Sequence, residues 1–569
     1  MINQSPDVSA PEFTLRSILV GSVVAVITGL AYPYIVLKLG FGPNISVVAA
    51  FLGFISLVLI LRLRTTNARE NNIVQTMGTS AGQTAFMCVL LAAFDMLNDR
   101  GVFNPPIHLN TTQIFLWLCS ASLLGVLLAV PMRRHYIDEE NLPYPDGLAA
   151  GETIAVLHET KDKGAGGPTK ALAIGGILSA ALMMLISAPL RLFRDVVYFS
   201  PAMQSMRVGF SWSLLSFGSG LLVGWRICLA MAIGMIASWF ILPSFLFSRG
   251  LIATRDFAET LRWVMWPATG IMVAGGLTSL FLKWNLIVKT FKTLRGAKVS
   301  DKDFPIRWVV IGSIVLTAIL CATQYFSLGV SVWISLLSII LSLPLMLVGL
   351  RVLGETNWGP ISAMSNMMQA IFAVISPGNV PVNMSSSGLT GTIAVQSEAL
   401  MQDYRAGTIV GSNNRLLTYA QLIAAPIGAA AVALIYPVLR AKFGVGAEGL
   451  SSPISVKWAG FAELLTQGIN ALPPGCLIGL LFGIIAGVIL TLLAERFGNN
   501  VPSPSAIGIG MLIPADVLMP FMLGGLAQFV WSKTSPAQEN AFRIPLASGF
   551  IAGEALIAVA LSIYGAATS

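Results

Sequence analysis

Apolar stretches of membrane-span length follow one another along almost the whole chain, separated by short polar segments. They begin with Ser17–Leu37, Leu39–Leu61, Asn71–Phe94, Leu109–Met132, Ala171–Leu190, Val208–Trp225, Ile227–Ser248 and Trp263–Leu282. Trp308–Leu350 is long enough for two spans. Thr356–Ser397, Leu416–Leu439, Leu464–Ala494, Phe497–Ala515, Val517–Ser532 and a run near Ile544–Tyr564 complete the series. A helix needs about 20 apolar residues to cross a bilayer, so the pattern predicts an all-α polytopic membrane protein of about 16 transmembrane helices.

Composition agrees with lipid as the solvent. Of 569 residues, 55% are hydrophobic and 11% charged, against about 25% charged in soluble domains. The net charge of +8 does not mark a nucleic-acid binder, because the basic residues sit in short segments between apolar runs rather than on one soluble face. They orient the chain instead. Arg62, Arg64 and Arg69 follow the second run, Arg133, Arg134, Lys161, Lys163 and Lys170 the fourth, and Lys283 to Arg307 the eighth. The positive-inside rule puts these loops, and the N-terminus, in the cytoplasm, with the chain in the plasma (inner) membrane. Arg191, Arg194 and Arg207 fit poorly, since they fall outside. No cleavable signal peptide is expected, because the first apolar run is long enough to stay in the membrane. The five cysteines (Cys88, Cys119, Cys228, Cys321, Cys476) lie singly in apolar segments and the three histidines do not cluster. Neither a metal site nor a cofactor is indicated.

Four short patterns recur in the same order. Gly42-Pro43-Asn44-Ile45-Ser46 pairs with Gly359-Pro360-Ile361-Ser362, and the polar-small run after Asn72 with Asn383-Met384-Ser385-Ser386-Ser387. Pro143–Gly147 pairs with Pro502–Ala506, and Ser219–Gly224 with Ser548–Gly553. The division is then a first half at 1–285, a basic cytoplasmic linker at 286–307 and a second half at 308–569. The span count makes the halves antiparallel, an arrangement typical of secondary transporters with a site near the midplane.

Backbone that leaves helical geometry in a membrane must be buried in protein or line a wet cavity. Asn141–Glu152, Ser376–Gly388 and Val501–Gly510 have the prolines and glycines for re-entrant or broken helices. Ionisable groups inside apolar runs are costly and usually functional; here they are Glu152, Arg226, Glu398, Asp403, Asp516 and Glu554. A structural ion pair is the plainer role for each. Among uncharged polar residues, Asn72, Thr76, Thr79 and Gln83 are spaced to share one helix face. Such a face bonds peptide amides or a chelate, and bonds a neighbouring helix equally well.

Enzymatic motifs are thin. Gly78-Thr79-Ser80-Ala81-Gly82 matches GxSxG, but in a membrane helix rather than a strand-turn-helix. HExxH is absent, and the chain has no Gly-Lys dipeptide for a P-loop.

The ordered motifs resemble the oligopeptide transporter (OPT) family, which includes yellow-stripe-like metal-chelate carriers. Asn71-Asn72-Ile73-Val74-Gln75-Thr76 is similar to its N-x-x-x-Q-T segment, and Asp138–Glu152 to its acidic stretch before L-x-[FY]-P-x-G-x-A. Pro377-Gly378 through Asn383, with Gln402-Asp403-Tyr404-Arg405-Ala406-Gly407, resembles its PG…N and QD-[FLY]-[KR]-x-G elements. Pro504-Ser505-Ala506 with Gly508–Met511, and Ser548-Gly549 with Gly553-Glu554, resemble its last two. The NPG-type motif of fungal and plant peptide members is not evident, and Asp146 stands where many relatives have Ser or Glu. Short loops resemble prokaryotic members. The resemblance implies proton-coupled symport of small peptides or peptide-like metal chelates, by a protein that is not an enzyme. On this reading substrate meets Asn72, Gln75 and Gln83 in one half and Gln369, Asn383 and Glu398 in the other, while Glu152, Glu398 or Glu554 carries the proton. The expected partners are substrate, protons and membrane lipid, with room for a homo-oligomer. A passive channel and an intramembrane hydrolase using Ser80 are the alternatives.

Overall fold

The computed structural model describes residues 11–39, 45–60, 67–103, 105–162, 167–187, 191–282, 304–356, 359, 361–445, 450, 452–467 and 474–568. Most of the linker expected at 286–307, and Gly42-Pro43-Asn44 of the first repeat pattern, lie outside them. The fold is helical. In chain order its main helices are α1 (Leu15–Leu39), α2 (Ile45–Phe54), α3 (Ala68–Phe86), α4 (Cys88–Asp99), α5 (Thr111–Ala129), α6 (Pro145–Asp162) and α7 (Gly167–Ile186). A two-stranded antiparallel hairpin follows, Val196–Tyr198 with Gly209–Ser211. Then come α8 (Leu214–Val223), α9 (Trp225–Ile236), α10 (Phe257–Leu282), α11 (Ile306–Leu328), α12 (Val332–Thr356) and α13 (Ile361–Ile375). The chain continues through α14 (Val380–Val410), α15 (Asn414–Phe443), α16 (Pro453–Gln467), α17 (Cys476–Phe497), α18 (Pro504–Leu512), α19 (Ala515–Thr534) and α20 (Pro536–Thr568).

Polarity runs from the inside out. Phe326 on α11 and Ile478 on α17 are 81% and 74% exposed, whereas Asn71, Asn72, Gln75 and Thr79 on α3 are fully buried. A soluble protein would reverse that distribution; a bilayer explains it. Among the described residues ten helices are long and apolar enough to cross a membrane, and four shorter apolar helices accompany them. The apolar runs predict about 16 spans; several of the runs hold short helices. Gly224, at φ +87°, separates α8 from α9, and Ile513-Pro514 separates α18 from α19. Thr356–Ser397, read as one run, divides between α13 and the first part of α14.

The three stretches expected to leave helical geometry do so only in part. Pro145, Pro381 and Pro504 lie in the first turn of α6, α14 and α18, where no intrahelical N–H is needed. Asn383 to Gly388 are therefore regular helix. The irregular backbone is confined to the approaches, as at Asn141 (φ 47°) and Tyr144 (φ 41°).

Helices pack in exchanged pairs. α7 lies along α20, and α10 along α17. Both crossings are close because Gly549 and Gly553 face the α7 backbone, while Gly483 and Gly487 face the carbonyls of Pro267 and Ile271. Small residues let membrane helices approach this way. Likewise α8 packs on α19, and α9 on α18. Two helices run beside half of a longer one. In α6, Gly147 meets Gln402 and Gly151 meets Ala406, so α6 follows the last turns of α14. In α16, Ser455 bonds the Val89 carbonyl and Glu463 pairs with Arg100 beyond α4, so α16 follows α4. The two point to opposite ends of the molecule, since Asn413 after α14 contacts Glu12 at the end where α3 begins.

Candidate functional site: a polar belt and a basic cleft

The centre of the molecule is a hydrogen-bonded belt where α3, α14 and α15 meet. Gln75 and Gln421 each donate an amide hydrogen to the Asp403 carboxylate, at 2.7 Å to Oδ1 and 2.6 Å to Oδ2. Gln75 also donates to Thr79 Oγ1 at 2.8 Å. One turn away, Gln396 donates to Ser80 Oγ at 2.6 Å, and Ser80 donates to the Gln421 carbonyl at 3.2 Å. Asn72 closes the belt at one end by donating to Ser412 at 2.9 Å. These bonds join α3 to α14 and α15, and in so buried a site each missing partner is costly.

The interior also holds polar atoms that have no hydrogen-bond partner among the described residues. The amides of Asn71 and Asn366 are buried and unbonded at both atoms, as are Gln75 Oε1, Gln369 Oε1 and Asn383 Oδ1. Glu398 is buried with its carboxylate packed against Gly359, at the approach to α13, and Oε1 lacks a bond. Such groups in the interior are rare because each forfeits its hydration. Buried amides and a carboxylate with free valences are suited to a polar solute carrying its own donors and acceptors.

At one end of the molecule opens a cleft of about 860 Å³. Lys38, Arg191, Arg194, Arg207 and Lys442 line it, with Asp195 and Asp516. Two of the bases are paired. Lys38 holds Glu554 at 2.7 Å, while Ser213 and the Leu215 amide also bond that carboxylate. Arg207 reaches Asp516 at 3.3 Å, and Tyr198 of the hairpin donates to the same oxygen at 3.1 Å. The arginines that fit the positive-inside pattern poorly thus have a local role: they build a cavity wall.

The oligopeptide transporter protein family matches residues 12–564 of the chain. The chain belongs to that family. A Saccharomyces cerevisiae protein named for oligopeptide transport is 24% identical, over 86% of each chain. A Haemophilus influenzae protein with the same kind of name is 24% identical over 94% of this chain and 93% of its own. The metal-nicotianamine transporter YSL11 of Oryza sativa is 21% identical over 96% and 86%. The protein is therefore an OPT transporter and not an enzyme. Its GxSxG serine sits mid-helix in α3, bonded to Gln396 and the Gln421 carbonyl.

The family motifs of this OPT chain map unevenly onto the geometry. Asn72, Gln75, Gln369, Asn383 and Glu398 are all in the buried interior, whereas Gln83 is half-buried on α3. Gln75 and Asn72 belong to the belt; Gln369 and Asn383 are joined to each other, Asn383 Nδ2 donating to the Gln369 carbonyl at 2.6 Å. The three candidate proton carriers are in different places. Glu398 is in the interior against Gly359, Glu554 is held by Lys38 of the cleft wall, and Glu152 is exposed on α6. Arg226 is exposed at the start of α9. Sequence reasoning passed over Lys457, which is 1% exposed in α16. Its signal is present, a lone charge between Val456 and Trp458, but the residue falls between the runs Leu416–Leu439 and Leu464–Ala494 and belongs to neither.

Proposed function

We propose that this OPT transporter is a proton-coupled symporter of oligopeptides or peptide-like metal chelates. Substrate binds between the halves, against Asn72, Gln75 and Gln83 on one side and Gln369, Asn383 and Glu398 on the other. The observation that carries the proposal is the set of buried, unbonded amides of the interior, on α3, α13 and α14, the last of which also carries Glu398. A peptide backbone or an aminocarboxylate chelate brings the donors and acceptors those atoms lack. The names of the yeast, bacterial and rice relatives point to the same two solute classes. Glu398 is the favoured proton carrier, because among the described residues no base pairs with its carboxylate. Glu554 is committed to Lys38, and Glu152 lies on the surface of α6.

The architecture proposed with it is about 16 membrane-embedded helical segments in two antiparallel repeats, half-length helices included. Support comes from the exchanged pairs. If α1–α5 correspond to α12–α15, then α7 with α20 corresponds to α17 with α10, and α8 with α19 to α18 with α9. The opposite directions of α6 and α16 fit the same inversion. In this register the first two sequence repeats match, while the proline and SG patterns fall on helices that do not correspond. A cytoplasmic N-terminus and a plasma (inner) membrane location complete the proposal.

Uptake into proteoliposomes under an imposed pH gradient, with a small-peptide pool and a ferric chelate pool, tests it. Accumulation of either pool that collapses with a protonophore supports symport and identifies the solute class. Downhill flux insensitive to the gradient replaces it with a passive channel.

A further inference from the structure

We propose that Lys457 anchors a carboxylate of the transported solute, a role that rests on the solute site between the halves. Lys457 is 1% exposed, and among the described residues no acceptor or acid pairs with its ammonium. The acids on the surrounding helices are spoken for or distant. α16 packs on α4, α10, α13 and α14. Asp95 of α4 bonds Tyr436 and Arg440, Asp99 is exposed, and Glu259 of α10 faces Arg262. Asp403 of α14 takes both glutamines, and Glu398 packs on Gly359. On α16 itself Glu463 holds Arg100. An ammonium buried without a counter-charge is strongly disfavoured, and a charge at such a site in a membrane protein marks a solute or ion pathway.

The next residue joins Lys457 to the unbonded amides. The Trp458 carbonyl accepts from Gln369 Nε2 at 3.0 Å, and its ring shares the space beside Gly391 with Ser365. Trp458 Nε1 and Asn366 Nδ2 are buried donors without acceptors; Gln369 Oε1 and Asn383 Oδ1 are buried acceptors without donors. A carboxylate satisfies the first kind together with Lys457, and the N–H groups of a peptide or amino acid satisfy the second. The chemical class follows: solutes with a free carboxylate next to a nitrogen that carries hydrogen. Glu398 stands two turns along α14 from Gly391, roughly 10 Å at 1.5 Å per residue, so the proton site is close to this end without touching it.

The test is uptake in proteoliposomes of a di- and tripeptide pool with free carboxyl termini against the same pool amidated, read by mass spectrometry. Wild type accumulates the free acids over the amides by about thirtyfold, the lower range expected for removing one member of a buried charge pair. Lys457→Met lowers free-acid uptake to the amide level, and Lys457→Arg keeps the preference. Equal uptake of acids and amides by wild type overturns the assignment, and this comparison needs no variant. So does a monodisperse Lys457→Met protein that still prefers the acids, with the transport reading intact. No uptake of either pool and of a ferric aminocarboxylate chelate by wild type overturns the transport reading and the lysine assignment with it.

Discussion

Lys38 closes the last turn of α1 by pairing at 2.7 Å with Glu554, 516 positions later in the chain. Glu554 is 3% exposed and Lys38 20%, so the pair is largely withdrawn from solvent. Removing one partner strands the other, which costs more than the pair itself contributes. Glu554→Gln and Lys38→Met each lower unfolding stability by about 2–3 kcal/mol, the value for buried pairs discounted for Lys38's exposure. The double variant loses less than the sum, and thermal unfolding in detergent measures the coupling.

Gln75→Leu leaves Asp403 Oδ1 without its donor. The expected loss is about 1–3 kcal/mol, with transport reduced, because an unsatisfied buried acceptor costs its hydration. Gln75→Glu is worse, since it sets two carboxylates side by side. Thermal unfolding ranks the two variants.

Gly359 allows Glu398 to reach its place; a Cβ there meets both carboxylate oxygens. Gly359→Ala costs about 1–3 kcal/mol through overpacking. Glu398→Asp, shorter by one methylene, recovers part of that loss in the Gly359→Ala background. A double-mutant cycle of unfolding midpoints reads the recovery.

Glu398→Gln keeps the shape of the side chain and removes its titration. The expected outcome is loss of uphill uptake under a pH gradient with solute exchange preserved. A variant that still accumulates solute against its gradient rules out Glu398 as the proton carrier, and Glu152→Gln and Glu554→Gln then take its place in the same assay.

Much of the interior was legible in the sequence, because a polar residue in an apolar run has few reasons to be there. Gln75, Asn383, Glu398 and Asp403 stood out on that ground and are buried. Their partners were not legible: Gln75 and Asp403 are 328 positions apart, and nothing local encodes that contact. Helix lengths were not legible, because apolar run length does not distinguish one full helix from two short ones, as at α8 and α9. Pro381 read as a helix breaker, but position within a helix decides what proline does, and Pro381 lies in the first turn. Lys457 falls between the runs Leu416–Leu439 and Leu464–Ala494, in a segment too short for a span, so no apolar run marks its charge as unusual.

The exchanged pairing of α7 with α20 also governs how the chain is made. Roughly 360 residues separate the two helices, which at 5–20 residues per second is about 20–70 s of synthesis. Throughout that interval the glycine-facing side of α7 has only lipid or an insertion chaperone against it, and α10 waits in the same way for α17. Neither half completes its own packing, so halves made as separate polypeptides are expected to be degraded singly and rescued by co-expression. Biogenesis, rather than the finished structure, is then where a truncation or a slow-translating stretch in the second half does its damage.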